Sequence, residues 1–155
     1  LYLASFGKSH ATAHTHKRCA SLKETMEDKY KHLEFIQGII NRMGQNSFLI
    51  KGWTITLVSA LFALSAKDSN MTFVIIAYFP AIAFWILDGY FIYQERLFRK
   101  LYDIVRTTET TDFSLNTKEL DNGFSDWVSA VLSKTILLFY GSVLATIIII
   151  MYFIK

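Results

Sequence analysis

The sequence predicts an all-α integral membrane protein: a transmembrane helical hairpin extended into a cytoplasmic antiparallel stalk, plus a third transmembrane helix. Three observations predict it. Of 155 residues, 52% are hydrophobic and 15% aromatic, and the mean hydropathy is +0.30, too apolar for an ordinary soluble domain. Three apolar runs approach the roughly 20 residues a helix needs to cross the hydrocarbon core. The Lys and Arg residues are unevenly placed: of 16, eight lie in residues 1–51 and six in 94–134, with only Lys67 and Lys155 elsewhere.

Residues 1–25 read as a disordered or non-native leader, because the chain starts at Leu1 and its first methionine is Met26. They contain only short apolar pieces, whereas a secretory signal needs about 7–15 consecutive ones. Residues 26–155 read as a single membrane domain.

Residues 27–46 carry Leu33, Ile36, Ile40 and Met43 at a helical period. The first span is expected at about 47–66. Its uncharged part, GWTITLVSALFALSA, has 15 residues, so Lys51 must be tolerated within it. The connection to the second span, KDSN, is short, so the two spans form a tight antiparallel hairpin. The second span is expected at about 71–93, and 19 residues from Ser69 to Leu87 are uncharged. Pro80, mid-span, removes the hydrogen bond to the Ile76 carbonyl and predicts a kink.

Asp88 is the one acid inside these apolar runs. A carboxylate there needs a partner or a task. If Ala66 faces Met71 across the turn, Asp88 faces position 49. That is two residues, about 3 Å of rise, from Lys51. A structural charge pair between Lys51 and Asp88 is therefore preferred over an ion path or proton relay lined by Asp88. In the same register Leu33, Ile36 and Ile40 face Ile104, Leu101 and Leu97, and Arg42 faces Glu95. These residues predict stalk packing and a stalk ion pair.

A cytoplasmic loop, 94–125, ends at Ser125, a candidate N-cap before Asp126. The third helix is expected to begin near Asp126 and to span at about 135–154, where 20 residues are uncharged. The Lys and Arg asymmetry puts the N-terminus and loop in the cytoplasm and the C-terminus outside. Trp53, Trp85, Tyr90, Tyr93 and Trp127 fall near the inner boundary, where amphipathic rings prefer to sit.

Catalytic chemistry is not expected. GKS at 7–9 lacks the glycine that a phosphate-binding loop needs, since Tyr2 stands there. His10, His14, His16 and Cys19 match no structural zinc spacing. His32 is expected on a solvated helical face. Thr54, Thr56, Ser59, Ser65, Ser142 and Thr146 read as helix-packing residues. With one cysteine there is no internal disulfide, which fits a reducing cytosol. No cofactor, metal or small-molecule substrate is indicated. Charges of both signs without basic–aromatic interleaving give no sign of nucleic-acid binding.

IQGIINRMGQNSFLIKGW at 36–53 and FWILDGYFIYQERLFRKLYD at 84–103, followed by TDFSLNT, resemble a widespread group of small uncharacterised bacterial membrane proteins. The resemblance runs from about Met26 to the C-terminus. The layout is similar to the small membrane effectors of anti-phage defence: the SLATT class and the membrane accessory proteins of RADAR and some CRISPR loci. This resemblance implies an inner-membrane protein that forms homo-oligomers, receives a cytosolic protein partner through its stalk, and alters membrane permeability. The alternative is a non-conducting anchor for a cytosolic complex. No catalytic residue is implied.

Overall fold

In the computed structural model the described residues are 4–68, 71–108 and 112–154; the side chains of 4–17, 19, 68, 71 and 154 lie outside the description. Among the described residues the chain is all-helical, without strands. Three helices are long and apolar enough to cross a membrane: Ala20–Lys67, Thr72–Thr107 and Lys134–Phe153.

Helix α1 runs Ala4–Asp68, 65 residues without interruption. Helix α1 takes in residues 4–25 of the segment read as a disordered or non-native leader. The physical reason lies in its composition: the chain's one proline is Pro80, so nothing in α1 removes a backbone donor. Helix α2 (Met71–Ile76) and α3 (Tyr78–Thr107) are separated at Ala77. The Ala77 amide is shared between the Phe73 and Val74 carbonyls, 3.2 Å from each, and the Ala81 amide reaches Ala77 at a stretched 3.4 Å. Pro80, one turn further on, offers no donor to Ile76 and crowds that carbonyl. The interruption thus falls three residues before the proline.

The third segment, expected as one helix, is two. Helix α4 is Phe124–Val131 and α5 is Lys134–Ile154. Gly123, at φ 65°, occupies the N-cap position. Ser125 is exposed and does not cap; its place is taken by local turns, Gly123 N–H to Asp121 Oδ1 (2.6 Å) and Asn122 Nδ2 to Asp126 (3.3 Å). The break at Leu132–Ser133 leaves the Val131 carbonyl free, and Trp85 Nε1 donates to it at 3.0 Å. An indole from α3 therefore satisfies the backbone where α4 turns into α5.

Three apolar clusters hold the helices. One joins Val58 of α1 to Val74, Ala77, Ala81 and Ile147 of α5. A second joins Ile36 and Ile40 to Leu101 and Val105, with Leu33, Phe98 and Tyr102 against it. The third joins Tyr93 and Leu97 to Ala130 of α4, with Trp127 alongside. These contacts run α1 and α3 antiparallel, and Lys29 Nζ donates to the Arg106 carbonyl at 2.8 Å near their far end.

Several expected seam residues sit elsewhere. Ile104 is 46% exposed, and Val105 is buried in its stead. Both positions fit a helical period, but docking of α4 against Leu97 fixes the rotation of α3 and selects the row Leu97, Leu101, Val105, spaced i, i+4. Leu97 packs with Tyr93 and Ala130. The Arg42–Glu95 pair does not form: Arg42 is exposed, and Glu95 pairs with Arg99 one turn away at 2.5 Å. A partner on the same helix is already in reach without ordering a second long side chain across the seam.

His32 is 1% exposed rather than solvated. Its Nε2 lies 3.0 Å from the Ser114 carbonyl, and its ring is 5.4 Å from that of Phe113. Phe113 takes a left-handed backbone, φ 56°, uncommon for a bulky residue. Tight turns at Asp112, Ser114 and Asn116, each accepting the amide two residues on, shape the loop that covers His32.

Candidate functional site

The polar centre of the fold lies between the apolar clusters. Asp88 of α3 has no exposure to solvent. Its Oδ1 accepts a hydrogen bond from Ser47 Oγ at 2.5 Å. Lys51 Nζ lies 2.5 Å from Oδ2, and also donates to Ser47 Oγ at 2.7 Å. Lys51, Ser47 and Asp88 thus close a three-membered ring of contacts. The Lys51 contact to Oδ2 is an ion pair. Its stabilisation is coulombic, in surroundings where water is largely excluded.

Helical geometry explains the convergence. Ser47 and Lys51 are one turn apart on α1, so they share a face. Thr54, fully buried, continues it, with its hydroxyl turned to the Ile50 carbonyl at 2.8 Å. From the other side α5 closes the site. Tyr140, also fully buried, donates to the Phe84 carbonyl at 3.1 Å. Its ring stacks on Trp85, 5.9 Å between centroids with planes 2° apart. The Phe139 ring centroid is 6.0 Å from Lys51 Nζ. One acid and one base are therefore enclosed by three helices, each satisfied by the other and by a serine.

Gly89, next to Asp88, faces the α4–α5 junction so closely that an added Cβ would collide with the Val131 side chain and lie 3.1 Å from its Cα. A second polar clasp fixes α4 from outside: Lys100 Nζ bonds Asp126 Oδ2 at 2.7 Å and the Leu120 carbonyl at 3.3 Å. Lys100, then Asn122, hold the Asp126 carboxyl below the usual aspartate range.

Of the residues singled out from sequence, Lys51 and Asp88 are brought together, and Ile36, Ile40 and Leu101 share one cluster with Leu33 against it. Arg42 and Glu95 are not brought together, and Ile104 stands outside. Ser47, Gly89 and Tyr140 are site residues that the sequence reading missed. The signal for Ser47 was present: it lies one turn before Lys51. His10, His14 and His16 and the Cys19 side chain lie outside the described residues; among those described, no cluster of His, Cys, Asp and Glu has the makings of a metal site. No protein-family model matches the sequence, and no curated protein or solved structure is significantly similar to it.

Proposed function

We propose that this is a small multi-pass protein of a bacterial inner membrane. Its N-terminus and the paired ends of α1 and α3 stand in the cytoplasm as a stalk, and its C-terminus lies outside. It assembles with copies of itself and alters membrane permeability when a cytosolic protein engages the stalk. The chemistry is physical displacement, not catalysis.

The observation that carries this reading is the continuity of α1. One unbroken helix, Ala4–Asp68, joins the Ile36–Ile40 seam to Lys51 and on through the first span. Ile36 and Lys51 are about 22 Å apart along that helix. A shift of the seam by a partner moves Lys51 against Asp88, because a helix does not stretch to absorb it. The Lys51–Ser47–Asp88 ring is then the catch: closed, it neutralises both charges; opened, it leaves an acid in an apolar span. The positive-inside distribution of Lys and Arg supports the orientation.

A different class of function, a non-conducting anchor for a cytosolic complex, draws on one observation. Asp88 is wholly enclosed, with no exposed face toward a water path. Controlled expression separates the two. Growth arrest with loss of dye-reported membrane potential is expected for the effector. Normal growth and potential, with membrane insertion verified, overturns it and leaves the anchor. Orientation is checked by reporters: a cytoplasmic one is expected to work in the 107–122 loop, and an external one after Lys155.

A further inference from the structure

We propose that α1, where it runs on past the end of α3, is a docking face for an acidic amphipathic helix of a cytosolic protein. This deepens, and rests on, the cytosolic-partner reading given above. Helix α3 ends at Thr107, where Lys29 Nζ reaches the Arg106 carbonyl at 2.8 Å. Helix α1 continues beyond that point toward Ala4. The row that packs α1 on α3 continues with it. Leu22, Met26, Lys29, Leu33, Ile36 and Ile40 follow one another at alternating steps of four and three, the spacing of a helix-on-helix seam. Ile36 and Ile40 are buried against Leu101 and Val105. Leu22 and Met26, on the same row, are 66% and 56% exposed, and Tyr30 beside them is 65% exposed. With Leu33 and Arg106 they line a hollow of about 630 Å³. One side of a two-helix seam therefore stands open.

The charges say which helix fits. Lys29 and Arg106 line the hollow, and among the described residues no acid does. Arg106 meets Asp103 of its own helix at 3.4 Å, with both side chains exposed, and its guanidinium has further N–H groups for a second carboxylate. Arg18, one turn before Leu22, and Lys23, one turn before Met26, flank the row, and both are exposed. Glu24 and Asp28 fall on the far side of the helix by its period. Glu27 is held by Lys31 at 3.0 Å. The open row is thus apolar along its centre and basic at its margins. A helix with apolar residues at the same steps, and Glu or Asp beside them, meets both features. A second copy of this chain does not. Standing in the same membrane it would run parallel, and seam geometry would set Arg18 of each copy against Lys23 of the other.

The probes are two synthetic helices of about three heptads, with Leu and Ile at the seam positions, flanked in one by Glu and in the other by Lys. Binding of each labelled helix to the full chain in phosphatidylcholine nanodiscs is read by fluorescence anisotropy, with empty nanodiscs subtracted. The Glu helix is expected to bind about tenfold more tightly than the Lys helix, the scale of a few exposed ion pairs made rather than opposed. That preference should shrink at about 1 M salt. Arg18→Glu combined with Lys23→Glu, two exposed changes, is expected to remove it. Met26→Asp is expected to weaken the Glu helix by about tenfold or more, with helicity by circular dichroism unchanged. Binding of neither helix, equal binding of both, preference for the Lys helix, or a preference untouched by the charge reversal overturns the proposal. So does self-association in detergent that Met26→Asp abolishes, which gives the face to a second copy. A Glu-helix preference without depolarisation on expression overturns only the effector reading, and depolarisation without that preference overturns only this site.

Discussion

Ser47 bridges Lys51 and Asp88: its hydroxyl donates to one carboxylate oxygen while receiving a hydrogen bond from the ammonium, so a neutral side chain ties an acid and a base from two helices into one unit. The unit explains how the second span tolerates its acid.

Breaking it from either side should therefore destabilise the protein. Asp88→Asn strands Lys51, and Lys51→Met strands Asp88. Each is expected to lower membrane-inserted yield, by an effect of roughly 2–4 kcal/mol, with the Lys51 variant the worse because Asp88 has no route to water. The double variant is expected to recover much of the loss, since removing both partners of a buried pair is often near neutral. A double variant no better than the worse single one assigns Asp88 to transport instead.

Ile36 and Leu101 belong to one buried cluster, whereas Ile104 is turned outward. In a Cys19→Ser background, cysteines at Ile36 and Leu101 are expected to crosslink within one chain. Cysteines at Ile36 and Ile104 are expected to crosslink at least several-fold more slowly. Equal rates would show that α3 is free to rotate against α1.

Gly89 permits the approach of Val131, and Gly89→Ala is expected to force the α4–α5 junction outward at a cost of about 1–3 kcal/mol. Val131→Ala removes the methyl groups but not the backbone contact at 3.1 Å, so rescue should be partial. Thermal denaturation in detergent measures both, and the Trp85 hydrogen bond to the Val131 carbonyl makes indole fluorescence a local readout.

The Lys100–Asp126 clasp carries a pH dependence. The folded carboxyl sits below its ordinary value, so its contribution is complete above the unfolded aspartate value and is lost as pH falls through the lowered folded value. Protection factors in α4, with the intrinsic pH dependence of exchange divided out, are expected to be unchanged from neutral pH down to the ordinary aspartate range and to fall below it. Asp126→Asn should show the lower protection already at neutral pH, with that step in its pH profile removed.

The three long apolar helices were legible because bilayer thickness imposes a length that composition reveals. The depth shared by Lys51 and Asp88 was within reach of counting from a short turn. What escaped was decided by contacts between segments distant in the chain. His32 is polar and stands in a helical pattern, but a loop without periodicity covers it. Ile104 and Val105 fit the helical period equally, and only the docking of α4 on Leu97 separates them. The break between α4 and α5 contains no proline or glycine; its carbonyl is taken by an indole from another helix, which no local pattern announces.

The location of the charge ring also bears on how the chain enters the bilayer. Lys51 emerges from the ribosome with the first span, and Asp88 only with the second. At about 5–20 residues per second the lysine waits a few seconds for its counter-charge. During that interval the first span offers 15 uncharged residues, fewer than the core of the bilayer asks for. On the membrane reading proposed above, it is a weak insertion signal by itself until Asp88 arrives to pair with Lys51. On that same reading, the pairing of α1 with α3 accompanies insertion, and the charge ring ties the first span's entry to the second's.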